Sequence, residues 1–186
     1  IGNIRSVAYA TNYLGCAYSV LGEYNLAIEY YEEALKIARE IGDKDNEGIL
    51  LGNLGDVYVL LEQWTDAEQS LLQAIDILTT LIPPAAGAFM GSLACVYAKQ
   101  SKMEEAKKLL LEGEAPVKVY PLEHGKFLCK KAKVLHLMEQ SDLAKEAFDQ
   151  AKVIAKDINS GEQSEFHKLI TETAQILTSS PPKEDS

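Results

Sequence analysis

Leu14-Gly15-Cys16-Ala17-Tyr18, followed by Ala27, Tyr31 and Ala34, is the stretch that decides the fold, because it returns. Leu54-Gly55-Asp56-Val57-Tyr58 is followed by Ala67, Leu71 and Ala74. Leu93-Ala94-Cys95-Val96-Tyr97 is followed by Ala106, Leu110 and Gly113. A weaker fourth copy holds Ala132, Leu135, Ala144, Phe148 and Ala151. Self-similarity at a fixed period of this size is the signature of a solenoid, whose units pack on their neighbours along one elongated core.

Within each copy the apolar positions recur at helical spacing. Leu14, Gly15, Tyr18 and Leu21 share one stripe, and Ala27, Tyr31 and Ala34 another. Each unit therefore reads as two amphipathic helices. Gly15, Gly55, Ala94 and Ala132 let the paired helix approach, with Ala27, Ala67, Ala106 and Ala144 as the reciprocal small contacts. The tyrosines fill the space between layers. The spacing predicts helix pairs at 7–21/24–40, 47–61/64–81, 86–100/103–115 and 122–138/141–157, in repeats spanning 7–41, 47–82, 86–115 and 122–158. Pro83-Pro84 and the stretch from Pro116 to Pro121 are read as closing the second and third repeats. A ninth helix at 162–178 is expected to cap the array, leaving 179–186 as a disordered tail. Residues 1–178 thus form a single all-α domain. Ile1-Gly2-Asn3 lines up with Ile41-Gly42-Asp43, so it is read as the exit of a preceding repeat in a longer protein.

The net charge of −10 argues against general nucleic-acid binding, which needs a basic surface. Charge is uneven: 118–133 holds five lysines and only Glu123 as an acid. Cys16, Cys95 and Cys129 are too far apart and too few for a disulfide framework or a metal motif, which fits a reducing, cytoplasmic setting. Ile77–Ala98 carries no charge, but Pro83-Pro84 interrupts it and the repeat runs through it, so no membrane span is expected. His124, His136 and His167 form no HExxH arrangement, and no glycine-rich phosphate loop follows a strand. The residues indicate no catalysis and no cofactor.

The repeated phrase resembles the tetratricopeptide repeat family over nearly the whole chain. Its units are longer than the usual 34 residues, with Arg39 at the customary proline slot. The fourth copy departs from the pattern, with Lys131 in the Leu14/Leu54/Leu93 slot and Ser141 near the Tyr24/Trp64/Met103 slot. Long units of this kind look like those of kinesin light chains, of cell-polarity adaptors, and of C-terminal arrays in large bacterial signalling regulators. The resemblance implies a right-handed superhelix whose concave groove binds peptides or helices of a protein partner, without catalysis. It also brings to mind the lysine–asparagine clamp by which some members hold a C-terminal carboxylate. Asn53 matches one clamp slot, but Asn12, Cys16, Ala88 and Ser92 occupy others, so no such clamp is expected.

Helical phase selects the groove side of each leading helix. Its candidates are Tyr9, Asn12 and Cys16 in the first repeat, Asn53 and Asp56 in the second, Ser92, Cys95 and Lys99 in the third, and Lys126, Lys130 and Lys133 in the fourth. The first zone is polar and aromatic. The middle zone, Ala88, Gly91, Cys95 and Ala98, is either an apolar floor for a ligand or a face covered by neighbouring helices. The last zone is cationic and suits an acidic peptide, or is a solvated lysine face. Cys129 beside these lysines is either a thiol of lowered pKa or a plain small residue. Self-association, or packing on other parts of a larger signalling protein, is the alternative role.

Overall fold

A computed structural model describes residues 2–161 and 164–179. Among these, nine helices and no strands are present: α1 Gly2–Leu21, α2 Tyr24–Ile41, α3 Lys44–Leu60, α4 Trp64–Leu81, α5 Pro83–Lys99, α6 Met103–Val117, α7 Pro121–Leu137, α8 Ser141–Asp157 and α9 Glu165–Thr178.

Consecutive helices pack as antiparallel pairs, α1 on α2 through α7 on α8. The leading helices α1, α3, α5 and α7 also touch one another in sequence, and α9 follows them against α7. The trailing helices splay apart on the outside. Crowding one layer while spreading the other curves the stack, so the leading helices line the concave side.

Close approach within pairs depends on missing side chains. A Cβ on Gly15 would lie 2.6 Å from the Tyr31 ring, and one on Gly55 would lie 2.6 Å from Leu71 Cγ. The core around these contacts is rich in small side chains: Ala27, Ala34, Ala67, Ala74 and Ala106 are fully buried, with Leu50, Leu71, Leu78 and Leu93.

The prolines behave differently from the sequence reading. Pro83 and Pro84 open α5 and Pro121 opens α7. A first-turn N–H has no helical partner, so proline costs nothing there and pre-sets φ. Pro116 sits inside the last turn of α6, which runs on to Val117. Gly2 and Asn3 belong to α1 rather than to an exit turn. Ile1 lies outside the described residues, as do 162–163 and the part of the expected tail beyond Ser179. α9 begins at Glu165, where the Ser164 side chain caps the helix by accepting from His167 N at 3.1 Å.

Leu14 also departs from expectation. Its counterparts Leu54 and Leu93 are buried, whereas Leu14 is 46% exposed. No helix among the described residues covers that side of α1, where Ile4, Val7 and Leu21 stand exposed as well. No helix is long and apolar enough to cross a membrane among the described residues.

Candidate functional site

The first zone of the concave face assembles as a polar cluster. Asn53 on α3 donates through Nδ2 to Asn12 Oδ1 on α1 at 3.1 Å, and approaches Cys16 Sγ at 3.9 Å. The Cys16 thiol donates to the same Asn12 oxygen at 3.8 Å. Asn12 is buried, Cys16 and Asn53 are half-buried, and Tyr9 is exposed one turn before Asn12.

The middle zone is covered rather than open. Gly52 on α3 receives the Phe89 ring from α5, and Gly91 on α5 receives the Phe127 ring from α7. An added Cβ would lie only 2.1 Å and 2.9 Å from those rings. Ser92 and Ala98 are buried, while Ala88 and Cys95 are half-buried. The apolar floor is therefore an interface between leading helices. Lys130 crosses it, donating to Ser92 Oγ at 2.5 Å and the Ala88 carbonyl at 3.5 Å, with Asp56 Oδ1 at 3.8 Å. One ammonium thus ties α7 to α5 and α3. Cys95 Sγ donates to the Lys130 carbonyl at 3.8 Å. Burial pushes the Cys95 thiol pKa up, against the pull of Lys133 and Lys130. Lys99 stays exposed and makes no ion pair among the described residues.

The lysines of the last zone already hold carboxylates of this chain. Lys126 Nζ sits 2.8 Å from Glu165 and 3.8 Å from Glu123, and Lys133 Nζ sits 3.5 Å from Glu172. The side chains of Lys126, Lys130 and Lys133 are only 20%, 21% and 20% exposed. Burial works against the Lys126 ammonium, but the hydrogen bond and charge of Glu165, then Glu123 and Asp56, outweigh it and hold its pKa above the ordinary value. Cys129 is no activated thiol. Burial pushes it up to about 11, against the pull of the neighbouring Thr173 hydroxyl and the charges of Lys133 and Lys130.

α9 supplies this cover. The Phe166 ring is fully buried over Gly125, where a Cβ would meet it at 2.2 Å. Lys168 reaches from α9 to the Val20 carbonyl at the end of α1, at 3.4 Å. Glu165, Phe166, Lys168 and Glu172 were absent from the sequence-selected residues. A signal for them existed: Glu165 and Glu172 are seven apart, as are Lys126 and Lys133. Two parallel helices with matched heptad charges pair in register. Among the described residues no group of three or more histidine, cysteine, aspartate or glutamate side chains is arranged to hold a metal.

Comparison with known proteins agrees with this architecture. A tetratricopeptide repeat family model matches residues 6–80. The human SH3 domain and tetratricopeptide repeat-containing protein 2 is 30% identical over 133 residues, covering 70% of this chain and 9% of that protein. Human G-protein-signaling modulator 1 is 34% identical over 65 residues, covering 35% of this chain and 10% of that protein. The chain thus spans about a tenth of the length of the curated relatives it matches. Among solved structures, BtubC (BKLC) from P. vanneervenii superposes with a TM-score of 0.64 at 19% identity, over 83% of this chain and 65% of that one. A chain of nearly identical TPR-like repeats from Podosopora anserina gives 0.62 at 16% identity, over 95% and 99%. With its forty-residue phrase, its paired helices and its concave row of leading helices, the chain belongs to the tetratricopeptide repeat family.

Proposed function

We propose that the four repeats and α9 act as one non-catalytic module whose concave face binds a segment of a protein partner, in a reducing, cytoplasmic setting. One observation carries the reading: the Asn12–Cys16–Asn53 cluster holds polar groups in fixed positions on the concave side, with the exposed Tyr9 ring beside it. Pre-ordered amides supply hydrogen bonds to a bound backbone without a further ordering cost, and an exposed tyrosine supplies contact area. The widely spaced cysteines support the reducing setting.

Peptides selected from a displayed random library on the wild-type chain test this. Tyr9→Ala/Asn53→Ala is expected to weaken them about tenfold or more, the loss typical of interface anchors. Unchanged affinity in a variant that retains its melting temperature would defeat the reading.

The exposed row Ile4, Val7, Leu14 and Leu21 on α1 favours a second reading, in which this end packs on another copy or on another part of a larger signalling protein. Light scattering at high concentration separates the two. Self-association abolished by Val7→Glu/Leu14→Glu supports an assembly role, and a strictly monomeric chain removes the self-pairing form of it.

A further inference from the structure

α9 stands where the leading helix of a fifth repeat would stand, and its attachment to α7 has a definite chemistry. Glu165 pairs with Lys126 and Glu172 with Lys133, both seven residues apart on parallel helices. Beside the first rung the Phe166 ring fills the notch left by Gly125. Thr173 is fully buried behind the second rung, its hydroxyl donating to the Leu169 carbonyl. We propose that this surface of α7 is a docking site for an amphipathic helix of a protein partner, and that α9 is its resident occupant. The partner helix carries a carboxylate followed at once by an aromatic ring, and a second carboxylate seven residues after the first. The proposal rests on the protein-binding reading above and names the class of partner.

Two features make the occupant exchangeable. Glu165 and Glu172 are 65% and 56% exposed, so their ion pairs are solvent-screened and open to replacement by equivalent carboxylates. The other apolar side chains of α9, Leu169, Ile170, Ala174, Ile176 and Leu177, are only half-buried. Those that pack do so on the local cluster of α7 and α8, not on the core around α2 to α5. Tethered next to its site, α9 competes at an effective concentration in the millimolar range, so an outside helix gains access when α9 is weakened.

The test uses the full chain and a fluorescein-labelled synthetic peptide of residues 164–179. Glu165→Lys/Glu172→Lys sets α9 against Lys126 and Lys133 without touching the core. This variant is expected to bind the peptide about tenfold more tightly than the wild type, the effect of reversing two charge contacts. Adding Lys126→Glu/Lys133→Glu restores pairing within the chain and is expected to remove peptide binding. A peptide with Phe166→Ala is expected not to bind. A folded Glu165→Lys/Glu172→Lys chain with no gain, or equal binding of the Phe166→Ala peptide, overturns the proposal. Amide exchange of the wild type gives an independent arm. Excess peptide should accelerate exchange across 165–178 and leave 121–137 protected, and unchanged exchange at saturating peptide also overturns it. Tyr9 and Asn53 lie outside these contacts. Library peptides that still depend on them would leave the groove reading standing after such a failure.

Discussion

One backbone position shows how far a repeat governs single residues. The turn between the two helices of each repeat places one residue in the left-handed region: Gly22 at φ 81°, Glu62 at 57°, Ser101 at 60° and Glu139 at 58°. Only the first copy uses glycine, the residue that reaches this region without a Cβ clash. Ser101→Gly is expected to stabilise the chain by about 0.5–1 kcal/mol, the clash relieved less the added freedom of the unfolded chain. A higher urea midpoint at unchanged slope is the check. Gly22 was legible as a turn in the sequence. The strained glutamates and serine were not, because nothing in their side chains announces a left-handed backbone.

Between helices, the organising contact is a phenylalanine from one leading helix set into a glycine of the one before: Phe89 on Gly52, Phe127 on Gly91 and Phe166 on Gly125. These rings close the floor that helical phase had left open to two readings. Phe127 is buried at 1% exposure and joins α7 to α5. Phe127→Ala is expected to cost about 3–5 kcal/mol, transfer and cavity together. Chemical denaturation followed by far-ultraviolet dichroism measures it. The phase of each helix was readable because Leu54, Leu93 and their partners recur at helical spacing. It names the side a residue faces but not what lies opposite. That depends on how far each helix rotates against its neighbour, and so the phase selected Lys126 and Lys133 without showing the α9 carboxylates they pair with.

Across the molecule, ion pairs between elements give stability a definite pH dependence. Glu47, Glu68 and Glu114 are pushed upward by burial, but their partners outweigh it and hold each below the ordinary range: Lys44 and Arg39 for Glu47, Gln100 and Lys102 for Glu68, Lys131 and His124 for Glu114. A carboxylate with a lowered pKa in the folded state stabilises fully above its unfolded value. That contribution is lost as pH falls through the folded value. Stability is therefore expected to hold down to about pH 5 and to drop below the unfolded glutamate pKa of about 4.3. Urea midpoints at pH 7 and pH 3.5 measure the drop, and Glu47→Gln should make it smaller. The repeat announced the solenoid and its pairing. It could not announce the tightness of the curve, which comes from small packing offsets accumulated over the nine helices of the described residues.

That tightness brings the Lys168 ammonium to the Val20 carbonyl across 148 positions of chain. A stack whose units touch only their neighbours is a spring with free ends, able to lengthen by small rotations at every joint. Here the last coil is hooked to the first. The pitch is then no longer set by independent joints alone, because opening any one of them also pulls on the hook. A single exposed contact of this kind contributes about 1 kcal/mol or less, so it biases the groove toward the closed coil rather than fixing its width.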